Sequence, residues 1–354
     1  MTIPSELIGS IPRSSELLGA ISSHAAGTID GAALAEARQR AVQDTVRTLE
    51  SLGSPVVTDG DQAKPSAFTY PVAGAGNVAA DGVVIPYADG HTRQLPVLTA
   101  GPFRYRANAE QYLRAAQKVA TVPVKQSVVA PSLLSLLYPP AGLSGYSREQ
   151  FLDDVVSGAE ADIRGCLDAG AHVVQLDVTE ARLAVKLDPS GGVLADFVEL
   201  NNRVLSRFSP AERARIGVHT DPGNDQGSTH SLDVDYAELL PSFFRLQAGN
   251  FYLQLASESD PDRVLAVIAD HLPAEARVFV GVTDPVDPRV ETPEEVRDRV
   301  LGAARHLPAE RLGTCDDSGF APFADDRSIS RDSAFAKIRA RLEGTAMAAE
   351  QLGL

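Results

Sequence analysis

The feature that most constrains this chain is an alternation running along most of its length: short apolar, β-branched runs separated by longer amphipathic stretches. The apolar runs fall at residues 7–10, 55–58, 122–129, 172–177, 216–220, 251–255, 277–282 and 311–315. Helical periodicity occupies residues 32–52, 107–119, 148–169, 193–207, 236–246, 261–271, 293–306 and 333–352. A strand reads as a continuous apolar run when helices cover both faces of its sheet. Eight such strands, most of them followed by a helix, predict an α/β fold, a closed (β/α)8 TIM barrel. A doubly wound sheet would place a glycine-rich phosphate turn after its first strand, and Gly9-Ser10-Ile11-Pro12 is not one. Residues 70–105 break the rhythm with two extended runs around Asp89-Gly90, which predicts a β-hairpin inserted after the second strand. No repeat or linker divides the chain, so residues 1–354 are expected to form a single barrel domain.

Composition enters as a filter on partners. The formal net charge of −15 argues against a nucleic-acid backbone, whose binding requires a basic footprint, and against an anionic membrane surface. The two cysteines, Cys166 and Cys315, make neither a disulfide framework nor a metal knuckle. The N-terminus lacks the basic and apolar regions of a secretion signal, and no run approaches 18 apolar residues. The expectation is a cytoplasmic protein acting on a small molecule, its oligomeric state open.

In a barrel of this kind the chemistry sits where the strands end, because the following loops converge there. Those positions hold Ser10, Asp59, Asp61, Asp177, His219, Asp221, Glu258, Asp284, Asp287, Asp316 and Asp317. So many acids around one mouth repel one another unless a metal ion, an amine or hydrogen-bond donors lie among them. A metal or an amino-acid-like substrate is therefore expected. Each residue also has a plainer reading. An Asp after a strand is as readily a helix N-cap or a turn residue, and Asp287-Pro288-Arg289 reads equally well as a turn with a local ion pair. His219-Thr220-Asp221 puts two potential metal ligands on one side of an extended end, or else makes an acid–base dyad without metal. His230 reads as a loop hydrogen-bonder or an additional ligand.

The segments IGSIPRSSEL, VVTDGDQAKPS, VQLDVTEARLA, IGVHTDPG and GVTDPVDPRVETPEEV, in that order, resemble the cobalamin-independent methionine synthases. The similarity is closest to their single-barrel, methionine synthase II-like relatives, in the uroporphyrinogen decarboxylase/methionine synthase superfamily. The resemblance implies an amino-acid acceptor, homocysteine, held by Ile8, Ser10, Asp61 and Asp177, with Asp61 in place of a longer Glu. It also implies a zinc site at His219, Asp221, Glu258 and Ser318, where Asp221 and Ser318 stand in the positions of two cysteines. The family's general-acid histidine falls on Val286, which leaves His219, Asp221 and Asp284 as the catalytic candidates. A site without thiolates is harder, and suits Fe²⁺ or Mn²⁺ as well as Zn²⁺. Folate is not expected, because its polyglutamate tail is bound with the help of a second barrel that this chain has no room for. Two enzymatic readings follow: a divergent methyl- or alkyltransferase acting on a homocysteine-like substrate, or a specialised-metabolism lyase, hydrolase or oxygen-dependent enzyme with a His/Asp/Glu metal site. A non-catalytic relative is the third.

Overall fold

The computed structural model describes residues 2–354. Six parallel strands form one sheet in the order Leu312–Asp316, Arg277–Thr283, Asn250–Leu253, Ile216–Thr220, Val174–Asp177 and Gln126–Val129. Two further segments complete the ring through single parallel bridges, Ser5 to Thr314 and Val57 to Val124. They meet each other where Thr58 Oγ1 donates to the Gly9 carbonyl (2.8 Å) and Ile11 N–H to that of Gly60 (3.0 Å). The (β/α)8 barrel is therefore present, with two staves shorter than expected. Pairing of the first stave is made around Pro4–Glu6, not at residues 7–10, so Ile8, Gly9 and Ser10 run on into the mouth.

The helices pack their apolar stripes against the outside of this ring. Arg148–Asp168 opens with a reciprocal Ser147–Gln150 capping box and buries Phe151, Val155, Val156, Ala159, Ile163, Cys166 and Leu167. Inside the ring, Ile8, Val173, Tyr252, Phe279 and Cys315 form a separate small core. The Tyr252 and Phe279 rings stack with centroids 4.5 Å apart. Gly217 and Gly313 make room for them, since a Cβ at either would come within 2.5 Å or 2.4 Å of a ring carbon. Also buried here are Glu6, Lys125 and the Tyr252 hydroxyl, which donates to Glu6 at 2.5 Å. Burial draws the Lys125 pKa down to about 8. Burial would raise that of Glu6, but Lys125, His172 and Tyr252 together hold it at about 2. This filling occupies the barrel's interior below the mouth.

The inserted region carries two antiparallel pairs, Val84–Pro86 with Thr92–Gln94 and Val78–Ala79 with Val97–Leu98. Residues 78–98 arch over the mouth. Ile85, Tyr87 and Leu95 pack on Leu183 and Leu136, Ala88 N–H reaches the Thr229 carbonyl (3.0 Å), and Arg93 bridges Asp225 and Asp325. No helix among the described residues is long and apolar enough to cross a membrane.

Candidate active site

Parallel register sets Asp177 beside His219 at the ends of adjacent strands, and Asp221 follows one residue beyond the second. These three side chains line one cavity with Ile8, Ser10, Asp61, Phe68, Thr179, Asn224 and Gly319. Its volume is about 20 Å³. The sequence-predicted acceptor residues and the first two catalytic candidates thus face a common space.

Asp61 reaches that space from a strained turn. Its φ is 55°, in the left-handed region that few non-glycine residues occupy, and Gly60 before it has φ 67°. Arg13 holds the turn by donating to the carbonyls of Asp61 (2.7 Å) and Lys64 (3.1 Å). Lys64 Nζ lies 2.7 Å from Asp61 Oδ1 and donates to the carbonyl and hydroxyl of Ser127. The lysine is fully buried, yet Asp61 and Asp59 outweigh the burial penalty and raise its pKa, so it stays charged. Asp61 is thus already paired with one buried cation. Asp59 sits behind this pair with Oδ2 unpartnered, and burial followed by the Asp61 charge raises its pKa to about 6.

His219 is held at one nitrogen and open at the other. Nε2 lies 3.2 Å from the Asp317 carbonyl; Nδ1 lies 3.3 Å from Asp177 Oδ1 without a well-formed hydrogen bond. With the proton on Nε2, Nδ1 keeps a lone pair in the buried site. Burial alone would make this ring less basic. Asp177 and Asp221 reverse that, and its pKa is raised. Asp221 is buried, with its pKa raised chiefly by burial, and Oδ1 accepts the Gly223 N–H at 2.7 Å. Ser10 Oγ accepts the Ala321 N–H at 3.1 Å, which fixes the hydroxyl against the loop after the last strand.

The expected four-residue metal set is not brought together. Glu258 is paired with the fully buried Arg182 (2.9 Å) and accepts from Gln254 (2.9 Å), because a guanidinium at that depth needs a counter-charge. Ser318 Oγ points back to the Gly319 carbonyl (3.3 Å). Among the described residues no three His, Cys, Asp or Glu side chains are disposed to hold a metal ion. The side chains present thus do not fit the zinc site that the resemblance implies. The strand ends at Leu253, and the turn that follows, pinned on Asp317, carries Glu258 away from the strand direction. Tyr252 points into the barrel, so Gln254, two residues on, is the inward group at that strand's end. Gln254 accepts from Arg182 and donates to Ser257 and Glu258. Asp284 does not reach the cavity either. It accepts the Val286 N–H (2.9 Å) and lines a neighbouring pocket with Asp317 and Ser318.

Three other acids prove structural. Asp317 accepts the N–H groups of Leu255, Ala256 and Ser257 at 2.8–2.9 Å, pinning the loop after Asn250–Leu253. Burial, then Asp284, raises its pKa to about 7. Asp316 pairs with buried Arg341 (3.0 Å), and Asp287 accepts the Arg289 N–H in a surface turn (2.9 Å). His230 hydrogen-bonds Ser231 (2.6 Å), and burial, then Lys186 and Arg182, lower its pKa to about 4.

Comparison with known proteins bears on this site. The family model described as the catalytic domain of cobalamin-independent synthase matches residues 3–330. The methionine synthase of Saccharolobus solfataricus is 23% identical over 99% of this chain and 96% of its own length. The 5-methyltetrahydropteroyltriglutamate–homocysteine methyltransferase of Serratia proteamaculans is 22% identical over 89% of this chain, which spans only 40% of that relative. Among solved structures, a B12-independent methionine synthase from Shewanella sp. W3-18-1 in complex with selenomethionine superposes with a TM-score of 0.77 at 17% identity, covering 99% of both chains. A putative vitamin-B12-independent methionine synthase from Listeria monocytogenes gives 0.71 at 16% identity over 98% of both. At these identities the structures speak for the fold alone.

Proposed function

This chain belongs to the cobalamin-independent synthase catalytic-domain family, and from that premise we propose that it transfers a methyl or small alkyl group to the thiol of a homocysteine-like amino acid. One observation carries the reading: Ile8, Ser10, Asp61, Asp177, His219 and Asp221 line a single cavity. Asp61 and Asp177 supply carboxylates for an ammonium; Ser10 and the adjoining main chain supply donors for a carboxylate. His219 Nδ1, 3.3 Å from Asp177 Oδ1 without a well-formed hydrogen bond, is the base in this space, and accepts the thiol proton as sulfur attacks the donor carbon. The selenomethionine bound in the Shewanella protein supports an amino-acid occupant.

Family membership, and not the arrangement of side chains, is the support for a divalent metal, so no step is routed through one. The oxygen-rich set of Asp177 and Asp221 around His219 favours the second reading, lyase, hydrolase or oxygen-dependent chemistry on an amino-acid-derived substrate. The deciding experiment incubates homocysteine with methyl donors and follows thioether formation in wild type, Ser10→Ala, Asp177→Asn and His219→Gln. Thiol-dependent product that falls in all three variants is expected. Turnover of an amino acid without a thiol, or product unchanged by His219→Gln, would overturn the proposal.

A further inference from the structure

A second cavity, of about 200 Å³, adjoins the first and shares Phe68, Thr179 and Asn224 with it. The arch forms one of its walls, contributing Ile85, Tyr87 and Leu95. Its surface is largely apolar, with the rings of Phe68, Tyr87 and Phe323 among its lining groups. Three ionisable groups besides Tyr87 face it. Arg93 is spent on Asp225 and Asp325, and His230 is neutral in ordinary buffers. The third, Glu180, opens the short helix Glu180–Leu187 and is only 3% exposed. Ser132 donates to its Oε1, whereas Oε2 has no partner at all. A buried carboxyl oxygen left unsatisfied costs free energy that a ligand can recover. Burial, with smaller effects from Asp177 and Asp221, pushes this pKa up to about 8. The empty pocket therefore holds a neutral acid, which an arriving cation would ionise.

We propose that this cavity is a binding subsite for a small organic cation with apolar arms, a sulfonium or quaternary ammonium compound, paired with Glu180 and packed against the rings of Phe68, Tyr87 and Phe323. Such a cation has no N–H to satisfy, so apolar walls, aromatic faces and one carboxylate suffice to hold it. A neutral ligand without a hydrogen-bonding group would leave Glu180 Oε2 unpartnered. On the transferase reading, on which this role rests, a methylsulfonium here would be the group donor. The thiol sulfur's electron pair forms the new S–C bond, and the old C–S pair returns to the sulfonium sulfur, which leaves as a neutral thioether. The thiol proton passes to the base in the adjoining cavity.

The binding test needs no thiol, so it stands apart from the reaction. Trimethylsulfonium and choline are titrated calorimetrically into the intact protein beside choline's neutral carbon isostere. The cations are expected to bind at least about tenfold more tightly than the isostere. Glu180→Gln is expected to cut that preference to the few-fold that the aromatic faces supply while leaving the isostere's affinity in place, and Phe323→Leu to weaken the cations by about threefold. The isostere also reports whether Glu180→Gln has kept the pocket folded. Equal binding of cation and isostere, or a preference that Glu180→Gln leaves undiminished, overturns the proposal. So does a tetrahydropterin that fills the pocket and excludes the cations.

Discussion

His219 Nδ1 lies 3.3 Å from Asp177 Oδ1, with the other ring nitrogen against the Asp317 carbonyl, so one carboxylate faces both the ring and the place proposed for a substrate ammonium. Replacing Asp177 with Asn keeps the shape and removes the charge. A charge-assisted hydrogen bond contributes about 1.5–3 kcal/mol, so homocysteine affinity should fall by roughly 10- to 100-fold. Calorimetric titration of wild type and Asp177→Asn reads this directly, and equal affinities would remove Asp177 from the acceptor site.

Arg182 and Glu258 form a pair whose guanidinium is wholly buried. Removing one member strands the other, at a cost of about 3–5 kcal/mol. Arg182→Met and Glu258→Gln should each lower the urea midpoint, and Arg182→Met combined with Glu258→Leu should recover part of the loss. An Arg182→Met protein as stable as wild type would show that the pair contributes nothing to the fold.

Purified without chelators, the protein is expected to carry less than one equivalent of zinc, because the side chains offer no three-residue ligand set. Asp221→Cys, Gln254→Glu and Ser318→Cys together would place two thiolates and a carboxylate beside His219, and should raise zinc retention toward one equivalent. Elemental analysis of both proteins checks this; stoichiometric zinc in the unaltered protein contradicts it.

Glu180 predicts a pH dependence of stability. Its folded pKa is about 8 against an ordinary value of 4.5. Between those values the folded chain holds a proton that the unfolded chain has released. Stability therefore falls as pH rises through this window. Glu180→Gln should flatten that slope and be the more stable protein at pH 9. Parallel curves for the two proteins in urea unfolding would mean that the carboxyl is solvated after all.

Gly319 lines the acceptor cavity, and a Cβ there would come 2.3 Å from Ser10 Oγ. Gly319→Ala should displace the Ser10 hydroxyl and raise the acceptor KM more than it changes kcat, at a stability cost of about 1–3 kcal/mol. Steady-state kinetics with a range of acceptor concentrations would expose the opposite pattern.

The sequence made Ser10, Asp61, Asp177, His219 and Asp221 readable because each lies at or just beyond a buried run, and a parallel barrel turns all such positions toward one mouth. Glu258 failed for a geometric reason: the strand ends at Leu253, and the loop after it turns on Asp317 before Glu258 is reached, so strand alternation no longer applies there. Glu180 and Arg182 lie on a helix of eight residues, too short to show a helical stripe. Asp316 and Asp317 looked like mouth residues, but their carboxylates are consumed by Arg341 and by three N–H groups, which no local pattern announces.

The arch walls the larger cavity and lines none of the acceptor cavity, which borders it across Phe68, Thr179 and Asn224. The arch is tied down by the Arg93 links to Asp225 and Asp325 and by a small apolar patch separate from the main core. Breaking those links would loosen one wall of the larger cavity without moving any residue that lines the acceptor cavity. Loosening the arch would therefore change access to the larger cavity for every molecule alike, and leave the choice of acceptor to the residues around Asp61, Asp177 and His219.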